Sequence, residues 1–250
     1  MIFSIASKEL KSLFYSPLAW SVLAVIMLIL GYLFLGQLDI YLQVQARLIT
    51  MENAPSLTET VVVPIFSNAA IILLLVMPLL TMRLISDELR SQTISLLFSA
   101  PISMTEIILG KFLGIIGFIF CILALTSFMP LSLLLGGNID FGLVLASYIG
   151  LFLLLASFAA AGLFMSCLTE QPTIAAVSTF GLLILLWIVD LVTSVTETTS
   201  STLSYISILK HYQVFLTGII DSRDITYYGL FILTFLTLSI RRLDSYRLQH

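Results

Sequence analysis

The sequence predicts an all-α integral membrane protein with six transmembrane helices, both termini in the cytoplasm and an amphipathic interfacial helix at the N-terminus. Of its 250 residues, 59% are hydrophobic and only 10% are charged, whereas soluble domains average about 25% charged residues. Six long runs contain no Lys, Arg, Asp or Glu, and basic residues are distributed unequally between the segments joining them. We therefore expect one transmembrane domain covering residues 1–250.

The six uncharged runs are the expected membrane spans, because roughly 17–25 apolar residues in a helix cross the hydrocarbon core. The last run has only 16 residues, and Tyr227 and Tyr228 at its start would extend it into the membrane interface. The spans are expected at 18–38, 61–82, 112–135, 141–168, 172–189 and 225–240.

The distribution of Lys and Arg predicts the orientation, since cytoplasmic connections carry the excess of these residues. With the N-terminus inside, eight basic residues are cytoplasmic and three are outside. The inner set is Lys8, Lys11, Arg83, Arg90, Lys111, Arg241, Arg242 and Arg247, and the outer set is Arg47, Lys210 and Arg223. Both termini are then cytoplasmic.

The first sixteen residues are expected to form a helix that lies in the membrane interface. One helical face is apolar and includes Phe3, Leu10 and Phe14, whereas the opposite face carries Lys8 and Lys11. This arrangement suits burial of the apolar face in lipid and contact of the lysines with anionic head groups. The alternative is a simple basic flank of the first span.

The connection between the fifth and sixth spans contains a polar stretch, 193–204, followed by apolar residues at helical spacing. These are Leu209, Tyr212, Leu216 and Ile219. The spacing predicts a short helix on the outer membrane face; the alternative is an irregular loop.

The segment between the second and third spans is unusually charged for this chain, with six Lys, Arg, Asp or Glu residues between Met82 and Lys111. We expect an amphipathic cytoplasmic helix over 84–100, capped by Ser86 and ended by Pro101. Ser103 and Glu106 have the spacing of a capping box before the next helix.

This inner helix either anchors to lipid or docks on a cytoplasmic protein. Its acidic residues Asp87 and Glu88 favour a protein, because anionic head groups repel carboxylates. A second inner connection, Thr169, Glu170 and Gln171, is expected to contribute another contact.

Several function classes lack their sequence signals. The chain has no phosphate-binding loop, no zinc-protease motif and no nucleophile elbow. Its two histidines, His211 and His250, are far apart, so no metal site is expected, and no basic stripe indicates nucleic-acid binding. The absence of charged residues from all six spans argues against an ion-coupled carrier.

Small residues provide the remaining pattern in the spans. Gly110 and Gly114 open the third span, and 156–162 in the fourth is rich in alanine. Such residues allow close helix contact; packing within one chain and a subunit interface are both compatible with them.

The inner segment "DELRSQTISLLFSAPISMTEIILGKFLG" resembles the permease subunits of type-2 ABC transporters, and the resemblance covers most of the chain. The tail "HYQVFLTGIIDSRDITYYGLFILTFLTLSIRRLDSYR" resembles the branch with the gliding-motility permease and the copper-site maturation permease of nitrous oxide reductase. Gln92 stands where the family usually has Gly. The matching positions in the inner segment are Glu88, Thr93, Leu96, Leu97, Pro101, Glu106, Gly110 and Lys111.

The resemblance implies that this chain is not itself an enzyme. A separate ABC ATPase subunit would bind ATP and Mg²⁺, with no cofactor in this chain, and would drive export or force transmission across the membrane. The ATPase-docking residues of the coupling helix would be Ser86, Asp87, Glu88, Arg90, Ser91, Gln92, Thr93 and Leu96.

The same resemblance implies a second permease chain, identical or different, and a place in the inner (cytoplasmic) membrane of a bacterium. The lipid bilayer and a partner at the outer face are the other expected contacts. The alternative function is a membrane scaffold that anchors another complex without transporting anything.

Overall fold

The computed structural model describes residues 1–48, 56–93, 102–134, 139–195 and 207–249. All regular elements in these ranges are helices. A π-helical turn, Thr58–Val62, precedes the third α-helix. The α-helices are α1 (Ile2–Tyr15), α2 (Pro17–Leu48), α3 (Val63–Thr81), α4 (Ser86–Arg90), α5 (Met104–Thr126), α6 (Phe128–Leu133), α7 (Phe141–Leu168), α8 (Pro172–Val195), α9 (Ile208–Leu216) and α10 (Ser222–Gln249).

Five helical segments within these ranges are long and apolar enough to cross a membrane: Pro17–Val44, Thr58–Arg90, Met104–Leu133, Phe141–Leu168 and Pro172–Val189. They correspond to the first five predicted spans. The predicted sixth span lies inside α10, which is helical throughout but is not among the five, because its apolar run is short and is followed by Arg241 and Arg242. The six-span topology stays a prediction.

Helix α7 lies at the centre of the bundle and packs against α3, α5, α8, α9 and α10. Its side chains from Ala156 to Leu163 are all buried. A Cβ atom at Gly162 would overlap the side chain of Thr81 in α3. The small-residue run therefore supplies close packing between two helices of the same chain.

Helix α5 begins at Met104, directly after the predicted capping residue Ser103 and ahead of the apolar span expected from residue 112. The predicted capping box is confirmed: the Ser103 side chain accepts from the backbone N–H of Glu106, and the Glu106 carboxylate accepts from that of Ser103. The earlier start places Lys111 within the helix rather than in a connecting segment.

Of the inner helix predicted over 84–100, the structure describes residues 84–93. Helix α4 ends at Arg90, and Ser91–Thr93 form a turn in which Gln92 has a φ of 55°. This left-handed conformation is one that glycine adopts without steric cost. Leu96 and the rest of the predicted helix, to residue 100, lie outside the described residues.

Ser86 does not cap α4 as expected. The N-cap residue is Ile85, and the Ser86 hydroxyl donates to the carbonyl of Met82. The first N–H groups of the helix instead donate to the hydroxyl oxygen of Ser166 in α7, at 3.0 Å from both Ile85 and Ser86. A side chain from another helix thus accepts from one of the N–H groups that the start of a helix leaves without an intrahelical partner.

The helix expected near residues 209–219 exists as α9, but it packs into the bundle against α7 and α8 rather than lying only on its surface. Tyr212 and Phe215 are buried, and a Cβ at Gly150 of α7 would lie 2.6 Å from the Cβ of Phe215. The Tyr212 hydroxyl donates to the carbonyl of Phe66 at 2.9 Å. Burial raises the pKa of this hydroxyl, so it stays protonated and keeps donating.

A buried pair joins α9 to the start of α10. His211 Nδ1 lies 2.5 Å from Asp224 Oδ1, and both side chains are less than 10% exposed. The Tyr227 ring stacks on the imidazole with centroids 4.1 Å apart. The pair therefore fixes the angle at which the chain enters α10.

Replacing Asp224 with alanine is expected to lower the free energy of unfolding by about 1–3 kcal/mol, because buried His211 loses its carboxylate partner. Thermal unfolding of the protein in mild detergent would measure the change. Arg223→Ala, at the exposed neighbouring position, is the matched control and should have little effect. Equal unfolding temperatures for the two variants would contradict a structural role of the pair.

Candidate functional site

A buried lysine connects three separate elements at one end of the bundle. Lys111 in α5 is only 2% exposed, and its Nζ lies 2.7 Å from Glu9 Oε1 of α1 and 2.8 Å from Glu88 Oε1 of α4. The two glutamate side chains are 16% and 19% exposed. Removing a lysine from water is costly, and two charge-assisted hydrogen bonds offset that cost.

Glycines in α5 bring α1 close enough for this contact. A Cβ at Gly110 would lie 2.7 Å from the Cβ of Ile5, and one at Gly114 would lie 2.7 Å from the Cβ of Glu9. The Phe14 ring also packs on Phe118, with centroids 5.5 Å apart. The Gly-x-x-x-Gly pattern therefore serves contact between α1 and α5 of the same chain.

Helix α4 is held from two sides. The Glu88 carboxylate pairs with Lys111, and the Ser166 hydroxyl accepts from Ile85 and Ser86 and donates to the Met82 carbonyl at 3.0 Å. The helix also packs against the ends of α7 and α8. These contacts fix the position of a five-residue helix that would not be stable alone.

The connection between α7 and α8 lies directly after Ser166. The hydroxyl oxygen of Thr169 accepts from the backbone N–H of Gln171 at 3.2 Å, and Glu170 and Gln171 are exposed. Helix α4 and this connection therefore lie at the same end of the bundle.

The family model for the ABC-2 family transporter protein matches residues 3–244, nearly the whole chain. This chain belongs to the ABC-2 transporter family. A comparison with curated proteins gives no match. Membership makes the chain a multi-pass membrane permease component of an ABC transporter, not itself catalytic, and implies an ABC ATPase as its partner.

The residues predicted to dock the ATPase of this ABC-2 permease fall into two groups. Ser86 is fully buried and Glu88 faces Lys111, so both hold α4 in place. The exposed residues, available to a partner, are Asp87, Arg90, Ser91, Gln92 and Thr93 of the first predicted contact and Glu170 and Gln171 of the second.

From the sequence, Lys111 was a positive residue beside a span and a position matching the family, with no partner assigned to it, and Glu9 and Ser166 were not singled out. One signal was available for the ion pairs. Glu9 and Glu88 are acidic residues in two segments expected at the cytoplasmic face, where Lys111 was also expected. No comparable signal existed for Ser166, because its partners Ile85 and Ser86 are about eighty residues earlier.

Proposed function

We propose that this ABC-2 permease transmits the conformational change of a separate ATPase subunit through α4 to α5 and α1. The single observation that carries the proposal is the anchoring of α4. Its Glu88 side chain pairs with Lys111 and the backbone N–H of Ser86 donates to Ser166, while Asp87 and Arg90 stay exposed for a partner. A force applied to the exposed face would therefore move α5 and α1 together.

The proposed partner contributes the ATP and Mg²⁺, and the proposed result is export of a cargo or force transmission across the membrane. We place the chain in the inner membrane of a bacterium, with six spans and both termini cytoplasmic. The tail from His211 to Arg247 supports assignment to the branch of the gliding-motility and nitrous-oxide-reductase copper-maturation permeases.

A second permease chain is part of the proposal. Helices α2 and α8 are the least buried of the five candidate spans. Val25 and Leu28 of α2 and Val177 and Leu185 of α8 expose apolar side chains. A second copy and lipid would together cover these faces.

The test is co-purification from the native membrane in mild detergent, with mass spectrometry of the proteins retained. The native chain should retain a protein with a phosphate-binding loop. The double variant Asp87→Arg, Arg90→Glu should lose that protein, because both exposed charges change sign. Arg223→Gln, an exposed change in the first turn of α10, is the control and should retain it.

A native preparation that holds its fold but retains no ATPase would contradict the proposal. It would favour the alternative, a membrane scaffold that anchors another complex. ATP-dependent movement of cargo in reconstituted vesicles would independently support a transporter over a scaffold.

A further inference from the structure

A cavity of about 280 Å³ opens between α1, the start of α2, the end of α3 and α4. Its base is formed by Lys111 with Glu9 and Glu88. Its volume is close to the lower end of the range of about 300–1,000 Å³ for sites that hold small molecules. It can hold a compact polar group but not an entire lipid.

The lining of the cavity is divided into an apolar part and a charged part. The apolar part includes Leu18 and Ala19 at the start of α2 and Leu79 and Leu80 near the end of α3. The charged part comes from α1, from α4, from the turn that precedes α4 and from Lys111 of α5. Because two candidate spans begin or end here, the division follows the boundary between hydrocarbon and water.

The charges that line the cavity balance. Three cations, Lys8, Arg83 and Lys111, stand with three carboxylates, Glu9, Asp87 and Glu88. A site for an anionic lipid would carry a cationic excess instead. Equal numbers of both signs match a group that carries one positive and one negative charge.

The charges of the cavity divide into a paired cluster and a set of exposed side chains. Lys111 is committed to Glu9 and Glu88, so this buried cluster has a net charge of −1. Lys8 and Arg83 are exposed, and neither forms an ion pair within the residues that the structure describes. Two cations are thus available to a phosphate, while Asp87 and the cluster are available to an ammonium.

We propose that this cavity binds the head group of a zwitterionic phospholipid with a primary ammonium, such as phosphatidylethanolamine. The phosphate contacts Lys8 and Arg83, and the ammonium donates to Asp87 and to the outer oxygens of Glu9 or Glu88. The acyl chains pass Leu18, Leu79 and Leu80 into the bilayer. A primary ammonium is required because three N–H donors reach the carboxylates, whereas a trimethylated ammonium has none.

The bound lipid would link α1 to α4 at the membrane surface. Lys8 and Arg83, which would contact the phosphate, are not among the residues proposed to dock the ATPase, whereas Asp87 belongs to both sites.

The experiment is native mass spectrometry of the detergent-purified chain, incubated with equal amounts of phosphatidylethanolamine, phosphatidylcholine and phosphatidylglycerol. We expect one retained phosphatidylethanolamine, in about tenfold excess over the other two lipids, because charged hydrogen bonds of this kind are lost with either competitor. Equal retention of the three lipids, or preference for phosphatidylglycerol, would overturn the proposal.

The variant Lys8→Ala, Arg83→Ala should lose the retained lipid, whereas Lys11→Ala, Arg90→Ala should keep it. The second pair removes the same charges from exposed positions on the neighbouring turns but does not line the cavity. Lipid-free thermal unfolding of both variants establishes that they are folded. Equal lipid retention by the two variants would refute the site.

A thermal shift distinguishes a lipid from a free small molecule. Phosphatidylethanolamine should raise the unfolding temperature of the native chain and not that of Lys8→Ala, Arg83→Ala. Soluble phosphoethanolamine should give no shift, because it lacks the acyl chains that pass the leucines. An equal shift with phosphoethanolamine would overturn the assignment to lipid. Retention of the ATPase by Lys8→Ala, Arg83→Ala, which should lose the lipid, tests the proposed function separately, because neither residue is among those proposed to dock the ATPase.

Discussion

Replacing Lys111 with methionine is expected to destabilise the protein by about 3–5 kcal/mol, the usual cost of removing one partner from a buried ion pair. Methionine keeps most of the side-chain volume but leaves Glu9 and Glu88, which contact the same nitrogen, without a cation between them. Thermal unfolding in mild detergent would measure the change. Lys11→Met, which removes an exposed lysine of α1, is the control and should be nearly neutral.

A triple variant separates charge from packing at this cluster. In Lys111→Met, Glu9→Gln, Glu88→Gln the buried carboxylates are neutralised as well, and most of the lost stability should return. If the triple variant were as unstable as Lys111→Met alone, packing rather than charge would be the cause. Native-like stability of Lys111→Met would show that the ion pairs contribute little.

The second large effect is expected for Gly114→Leu. A Cβ at this position would lie 2.7 Å from the Cβ of Glu9 and 3.2 Å from the carbonyl oxygen of Ala6. Helix α1 must therefore move away from α5, and the Glu9–Lys111 contact is lost with it. We expect destabilisation of about 1–3 kcal/mol from overpacking, with the lost ion pair in addition.

Limited trypsin digestion reports the position of α1 directly. In the Gly114→Leu variant, cleavage after Lys8 and Lys11 should be much faster than in the native chain, because α1 is no longer held. Gly181→Leu in α8 is the matched control, since nothing lies within 4 Å of a Cβ at that glycine. Unchanged digestion of Gly114→Leu would mean that α1 is held by other contacts.

The elements that the sequence predicted well are those with local signals. Helix α7 has the predicted bounds, 141–168, because a charged residue and a glycine pair precede it and a polar connection follows it. The Ser103 and Glu106 capping box is a motif within four residues. Both signals depend only on nearby side chains and so can be read without the fold.

The errors arose where distant residues decide the structure. Helix α4 ends at Arg90, before a turn that the sequence did not predict, and Ser166 of α7 accepts from its first backbone N–H. Helix α9 was predicted from its local spacing, but the packing of its Phe215 on Gly150 of α7 was not. At the candidate site, Glu88 and Arg90 were both predicted from the sequence to dock the ATPase. In the structure the Glu88 side chain contacts Lys111, whereas the Arg90 side chain is exposed.

The contact between Glu9 and Lys111 spans 102 positions of the chain, and this separation dictates an order of events during synthesis. Helix α1 leaves the ribosome before α5, and its partner helix emerges only after two further membrane segments, α2 and α3, have been made. Until then, α1 has neither its counter-ion nor the glycine surface of α5 to pack against. Its exposed apolar side chains, such as Phe3, and its lysines suit a temporary stay at the lipid–water boundary. Helix α1 is therefore translated well before it can reach its final position.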